Sequence, residues 1–342
     1  MAAILVIDTH HHYLPPELVD GLESFVPEHA SVTRRGDRII LERRSDRFGY
    51  TVIDREHWCD AERQISVMDS CGVAHALLSI ACFTDWLTPA AATVYNDGLA
   101  DVVARYPARF SGIAAVCPDD EASGRKELDR CAENGGFVGV SLTTSPGGRY
   151  PDDRAIRWLF DAAREASLPV FLHPSFNPPG GFAAGGMRGW DLERTLGKVT
   201  DLTLATTRLL YSGVLDSAGP SVAVAHLGGA LPFVLRRMFF GPADYGGAPQ
   251  GDFASLLRHV WVDTAPGIYQ GPDEIRFSCD RLGADRILFG TDYPVTADPV
   301  GMLEQSLHHV RQLDSPQARQ RIFADNALAC FPRLEQRLSP IG

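Results

Sequence analysis

The sequence predicts an α/β chain folded as a (β/α)8 TIM barrel, with an insertion after the first strand. Three observations carry this expectation. The chain has 342 residues and is 45% apolar, enough to bury one large core and too long for a small module. Eight short β-branched or apolar runs recur with helical stretches between them, the pattern of parallel strands covered on both faces. No internal repeat, low-complexity tract or linker-like shift in composition divides the chain, so one domain over residues 1–342 is expected.

Taken in order, the first run is Ile4–His10, which leads into His11 and His12. An insertion over 13–62 follows, with Arg38-Ile39-Ile40-Leu41-Glu42-Arg43 reading as one arm of a small hairpin. Its place after the first strand puts it beside the C-terminal mouth of a barrel. The remaining runs are His75–Ile80, Ser111–Val116, Val138–Leu142, Val170–His173, Val222–His226, Val260–Asp263 and Ile287–Gly290. Eight βα units favour a closed barrel over a doubly wound sheet. The Gly/Pro-rich stretch 175–190 reads as a loop that shapes or covers the mouth, because neither a GxxxxGK[ST] motif nor a strand–GxGxxG–helix accompanies it.

The formal charge is −11 with no basic run, which excludes an electrostatic grip on nucleic acid or an anionic membrane. The apolar start, Ala2 to Ile7, is too short for a signal peptide, and no stretch reaches the roughly 20 apolar residues of a membrane span. Seven widely spaced cysteines without a CxxC pair read as reduced thiols in a cytoplasmic protein.

Barrel enzymes place their chemistry where strands end. The first strand ends Asp8-Thr9-His10-His11-His12, the fifth at His173-Pro174, the sixth at His226-Leu227-Gly228-Gly229 and the eighth at Gly290-Thr291-Asp292-Tyr293-Pro294. Residues two apart on a strand share a face, so His10 and His12 point inward together and His11 points away. A single histidine at a strand end is more commonly a hydrogen-bonded core residue than a ligand. Four histidines and a carboxylate delivered to one mouth are a metal site. Imidazole with carboxylate suits Zn2+, Mn2+ or Fe2+ rather than Ca2+ or Mg2+. His10, His12, His173 and Asp292 make four donors.

The chain resembles the amidohydrolase superfamily, and within it the branch around aminocarboxymuconate-semialdehyde decarboxylase. Besides the His10-His11-His12 start, the resemblance rests on Met68-Asp69 with Gly72-Val73 and on Tyr106-Pro107 with Arg109-Phe110. It continues through Phe171-Leu172-His173-Pro174, Ala225-His226-Leu227-Gly228-Gly229, Phe289-Gly290-Thr291-Asp292-Tyr293-Pro294 and Asn326-Ala327-Leu328. The resemblance implies His10, His12, His173 and Asp292 as ligands to one metal ion, zinc first and manganese as the alternative. It implies His226 unliganded beside the site, with His226 and Asp292 as the catalytic pair.

Lysine content bears on nuclearity. Of 32 basic residues only Lys126 and Lys198 are lysines, and both fall in helical stretches. Dinuclear members of the superfamily that the chain resembles bridge their metals with a carboxylated lysine at the end of the fourth strand, which here ends Ser141-Leu142-Thr143-Thr144. A mononuclear site follows.

The branch implies a metal-dependent, non-oxidative decarboxylase, a carbon–carbon lyase acting on an aromatic or unsaturated carboxylic acid. The same site permits a mononuclear hydrolase of an amide, ester or lactone. A carboxylate substrate needs a cationic clamp, and Arg237 matches a family arginine that reaches into a neighbouring subunit, which implies a homodimer. Trp86, Phe176, Trp190 and Tyr293 are the aromatic candidates to stack on a substrate ring. A second family arginine is replaced here by Gln64, with Arg63 one place earlier and turned about 100° away on a helix. The expected substrate is therefore an acid other than the muconate semialdehyde.

Overall fold

The computed structural model describes residues 4–26, 30–43, 50–175, 190, 192–215, 219–240 and 253–338. In chain order its strands are β1 (Ile7–His12), β2 (Ala30–Arg35), β3 (Arg38–Arg43), β4 (Tyr50–Asp54), β5 (His75–Ser79), β6 (Phe110–Ala115), β7 (Phe137–Thr143), β8 (Val170–His173), β9 (Val222–Val224), β10 (Val260–Asp263) and β11 (Ile287–Leu288). Eight of them form one sheet in the order β1-β5-β6-β7-β8-β9-β10-β11, and every pairing within it is parallel. The sheet curls back on itself. Thr9 N–H donates to Phe289 O (2.9 Å), Asp292 N–H to His10 O (2.8 Å) and His12 N–H to Tyr293 O (2.8 Å). The barrel expected from the sequence is the fold observed.

Burial explains why these runs are strands. Each of the seven residues of β7 is buried, as is each residue of β1, β5 and β6. A strand with core on one face and helices on the other has no polar side to show. Return helices start at side-chain caps: Thr88 accepts from Ala91 N, Asp120 from Ser123 N and Asp298 from Gly301 N, each satisfying an N–H that the first turn leaves open. Outside the barrel, Glu127 is a buried carboxylate held by Asn96 Nδ2 (2.7 Å) and Arg130 Nη2 (2.6 Å).

Several boundaries differ from the sequence reading. β1 begins at Ile7 because Ile4 and Leu5 are exposed. β9 stops at Val224 rather than His226, since His226 already turns into the left-handed region (φ 54°). β11 is only Ile287–Leu288, because the hydrogen bonding of the next residues passes to β1 and to Ile322 O.

The insertion forms a three-stranded antiparallel sheet in the order β2-β3-β4. The arm expected at Arg38–Arg43 is its central strand, and Ile39, Leu41 and Ile53 are buried on one face, the period-two pattern of a half-covered sheet. The return from this sheet brings Trp58 against β1, with Leu14 N–H donating to Trp58 O (2.9 Å).

At the N-terminal end of the barrel, His75 is buried, with Nδ1 against Ala108 O (3.1 Å) and Nε2 against Ser111 Oγ (2.9 Å). Burial lowers its pKa to about 4. A histidine depressed in the fold stabilises above its unfolded pKa, and that stabilisation is lost as pH falls from about 6.5 toward 4. The stability gap between wild type and His75→Gln in denaturant titrations should accordingly narrow over that window, by up to about 3 kcal/mol. A gap independent of pH would show that His75 is not held neutral.

Candidate active site

The C-terminal ends of β1 and β8 and the segment after β11 bring four donors together. The relevant atoms of His10, His12, His173 and Asp292 all lie within 4.8 Å of one another, and all four residues are buried. Asp292 Oδ1 is 3.1 Å from His10 Nε2, 2.9 Å from His12 Nε2 and 3.9 Å from His173 Nε2. The two Nε2 atoms of β1 are 3.2 Å apart. Four donors at bonds of about 2.0–2.1 Å around a tetrahedral ion are separated by roughly 3.3 Å, and the observed spread brackets that figure.

The opposite nitrogen of each ring is already engaged. His10 Nδ1 meets Asp263 Oδ2 (2.8 Å), His12 Nδ1 meets Ser79 Oγ (2.9 Å) and His173 Nδ1 meets Pro174 O (3.0 Å). Ser79 Oγ in turn donates to His11 O (3.3 Å), so it accepts from His12. Each partner fixes Nδ1 as the protonated nitrogen and leaves the Nε2 lone pair facing inward, the outer-shell arrangement of metal-binding histidines. His173 Nε2 is buried with no hydrogen-bond partner. An imidazole lone pair buried without a donor is costly unless a cation takes it. The residues present therefore fit a divalent transition metal.

The electrostatics of the cluster without an ion agree. Burial disfavours a charged His10, but the carboxylates of Asp263 and Asp292 outweigh it and raise its pKa to about 10. Burial lowers His12 to about 4 and puts His173 well below the usual range. Burial works against an ionised Asp292, yet the charge of His10 and its contact with Asp292 hold that carboxyl well below normal. Without an ion, the positive charge of the cluster falls on His10 beside the Asp292 carboxylate.

His226 stands next to this cluster, half-buried, its ring 5.2 Å from that of His10 and 5.8 Å from that of His173. Its Nδ1 meets Ala265 O (3.0 Å), and burial lowers its pKa, so the ring is neutral near pH 7. His226 and Asp292 both have left-handed backbones (φ 54° and 61°), a conformation that costs about 1–3 kcal/mol in a residue other than glycine. Buried carboxylates hold both turns. Asp263 Oδ1 accepts His226 N–H (2.9 Å) and Ala265 N–H (3.0 Å), while Asp8 accepts Thr291 N–H (3.1 Å) and Thr291 Oγ–H (2.6 Å). Gly290 provides the clearance for β1: a Cβ there would lie 2.7 Å from His10 Cβ.

His11 faces away as alternation predicts, despite a register irregularity between Asp8 and His11. It bonds Asp8 Oδ2 (2.9 Å) and stacks on Tyr293 at 4.7 Å. That stacking places Tyr293, fully buried, behind β1 and away from the imidazole cluster, so packing accounts for its ring. Trp190 is 90% exposed. Phe176 and the Trp86 side chain lie outside the described residues. Arg237 is exposed on helix Leu231–Phe240. Gln64 is buried and donates to His12 O (3.0 Å) and His57 O (2.7 Å), whereas Arg63 pairs with Glu56 (2.9 Å) and does not take its place.

Sequence reasoning missed two aromatic walls. Trp58 lies parallel to His12, 5.8 Å away at 7°, and Phe171 meets His10 edge-on at 5.0 Å. Phe171 was within reach, since it stands two residues before His173 on the same strand face. Nothing local in the sequence points Trp58 at His12.

A parallel barrel with three histidines and an aspartate that could hold a metal ion converging at its C-terminal mouth has the architecture of the (β/α)8 enzymes. The chain belongs to the amidohydrolase family, whose model matches residues 7–333. It is 24% identical over 347 residues to the 2-amino-3-carboxymuconate-6-semialdehyde decarboxylase of Dictyostelium discoideum, covering 95% of this chain and 90% of that protein. It is 27% identical to a gamma-resorcylate decarboxylase of a Polaromonas species, over 68% of this chain and 76% of the relative. A 2-keto-4-carboxy-3-hexenedioate hydratase of a Sphingobium species is 29% identical, over 72% and 73%. Among solved structures, Metarhizium anisopliae IDCase in apo form superposes with a TM-score of 0.81 at 22% identity, covering 97% of this chain and 98% of that one. A Polaromonas dihydroxybenzoic acid decarboxylase with bound manganese and 2-nitroresorcinol gives 0.75 at 22% identity, over 98% and 100%. The likeness to these two structures is one of fold.

Proposed function

We propose that this chain is a metal-dependent, non-oxidative decarboxylase of an aromatic or unsaturated carboxylic acid, built as one barrel domain over residues 1–342 with the 13–62 insertion at its mouth. The observation that carries the reading is the convergence of four buried donors with an orphaned His173 Nε2, beside a neutral His226. Membership of a family with curated decarboxylase relatives over most of the chain supports the choice of reaction.

His10, His12, His173 and Asp292 would hold one divalent ion, zinc or manganese. When bound, that ion supplies Lewis-acid polarisation of substrate oxygens. The protein's own residues do the rest. Asp263, Ser79 and the Pro174 carbonyl lock the three imidazoles. The carbon that releases CO2 must gain one proton in its place, and His226 Nε2 and the Asp292 carboxylate are the groups that pass it. Trp58 and Phe171 exclude water from the imidazoles. The overall charge of −11 repels an anionic substrate at long range, so capture has to be local.

Arg237 is the proposed clamp for the substrate acid. It has no hydrogen bond or ion pair among the described residues, and Phe233 on the same helix is 79% exposed. Reach into a second subunit, in a homodimer, fits a side chain with no partner of its own. Arg237→Ala should raise KM roughly ten- to hundredfold, the worth of a charge-assisted hydrogen bond, with a smaller change in kcat. Specific activity should also fall on dilution below the dimer dissociation constant. Unchanged KM, or full activity in a proven monomer, removes this role.

The deciding experiment is reconstitution of stripped protein with Zn2+ or Mn2+, followed by a screen of hydroxybenzoates and related acids for CO2 release. Hydrolysis of lactones or amides, or addition of water to an unsaturated acid, without CO2 would replace this reading.

A further inference from the structure

Outside the donor cluster, one buried carboxylate has two partners, Thr144 and Ser145, that bond the backbone beside His173. Asp201, in helix Lys198–Ser212, is 2% exposed. A carboxylate taken from water is costly unless its oxygens are satisfied. Here the donors are hydroxyls: Thr144 Oγ–H, Ser145 Oγ–H (3.1 Å) and Tyr150 O–H (3.0 Å).

Those hydroxyls frame the end of β8. Thr144 N–H donates to His173 O (2.9 Å), and Thr144 Oγ1, its proton committed to Asp201, accepts Ser175 N–H (2.9 Å). Ser145 N–H donates to Ser175 Oγ (2.8 Å), and the two serine hydroxyls are 2.9 Å apart. Pro174, between them, has no N–H, and its carbonyl receives His173 Nδ1–H (3.0 Å). The backbone on both sides of His173's own orienting carbonyl is thus gripped by residues 144 and 145, and these by Asp201.

We propose that Asp201 is the positioning residue of His173: through Thr144 and Ser145 it fixes the His173-Pro174-Ser175 backbone and hence the aim of His173 Nε2. The inference rests on His173 being a metal donor, as proposed above. A hydroxyl has one proton and two lone pairs, and the Asp201 carboxylate draws the Thr144 proton to itself, which leaves a lone pair turned to Ser175 N–H. An amide at position 201 offers a donor to one of the three hydroxyls, which must then turn its proton elsewhere and compete with that arrangement.

The test is a set of four variants, Asp201→Asn, Thr144→Val, Thr144→Ser and Glu127→Gln, compared with wild type. The readouts are the apparent Mn2+ dissociation constant from chelator competition, the thermal midpoint, and kcat and KM separately. Asp201→Asn and Thr144→Val should weaken Mn2+ about ten- to hundredfold, the usual effect of losing an outer-shell partner, and lower kcat with little change in KM. Thr144→Ser, which restores the hydroxyl, should bind Mn2+ like wild type. Glu127→Gln, which disturbs a buried carboxylate bonded to Asn96 and Arg130 and to none of residues 144, 145 or 173–175, should lower the thermal midpoint and leave Mn2+ affinity alone. Thr144→Val removes one hydroxyl only and keeps the test decisive should Asp201→Asn not fold. Wild-type Mn2+ affinity and kcat in Asp201→Asn and Thr144→Val would overturn the positioning role alone, as would equal Mn2+ loss in Glu127→Gln. Wild-type protein that binds no divalent metal would overturn the metal centre as well.

Discussion

Replacing His173 with Ala should cost the protein the proposed metal and its turnover in the same step. Its Nε2 is the one donor of the cluster that is buried without any hydrogen bond among the described residues, and a cation held by the cluster would satisfy it. The other three donors remain close together through Asp292 Oδ1, but three donors hold a divalent ion more weakly than four. The loss should exceed the ten- to hundredfold expected for an outer-shell partner. Metal content after gentle purification, read beside turnover after re-addition of Zn2+ or Mn2+, measures both at once. A His173→Ala protein that retains stoichiometric metal would mean that the centre lies elsewhere in the mouth. Since removal of a buried, unpartnered imidazole relieves a desolvation penalty in the metal-free state, the apoprotein should not be grossly destabilised.

The second large effect separates binding from chemistry. His226→Ala is expected to keep the metal and lose turnover by about 10²–10⁴-fold, the usual worth of a positioned acid or base. The competing assignment is specific: His10, His226 and Asp263 also bring donor atoms within 4.8 Å of one another. If His226 were a ligand, its removal would release metal as His173→Ala does. The geometry favours the first outcome, because Asp263 is already bound to His10 Nδ1 and to the His226 and Ala265 amides. His226→Asn makes the cleaner variant, since asparagine tolerates the left-handed backbone there and alanine adds strain of about 1–2 kcal/mol. Metal content and single-turnover rate should diverge in both variants, and parallel losses would reassign His226.

Much of the fold was legible in the sequence because a parallel barrel strand is buried on both faces and leaves an uninterrupted apolar run. β8 and β10 were read with the boundaries observed. The hydrogen-bond ladder corrected the ends of β1, β9 and β11, where apolar content continues but pairing does not. The donors were legible for a related reason: His10 and His12 share a face by simple alternation, and β8 and the segment after β11 end in residues with metal chemistry. The aromatic candidates were not equally legible, because a ring's direction depends on what packs behind it. Tyr293 follows Asp292 directly in sequence yet stacks on His11, while Trp58 arrives from the insertion to lie on His12.

The sequence by itself determined the barrel and pointed to four residues, His10, His12, His173 and Asp292, that the structure brings within 4.8 Å of one another, because strand period and strand-end chemistry are local properties. Only the tertiary structure decided what holds those donors. Asp263 stands at a strand end, where the sequence already offers it as a group to orient a ligand or cap a turn, but its pairing with His10, that of Ser79 with His12 and that of Asp8 with Thr291 join segments far apart in the chain. Whether a buried carboxylate or hydroxyl finds a donor is settled by which segments the closed barrel brings into contact, and that is a property of the whole chain.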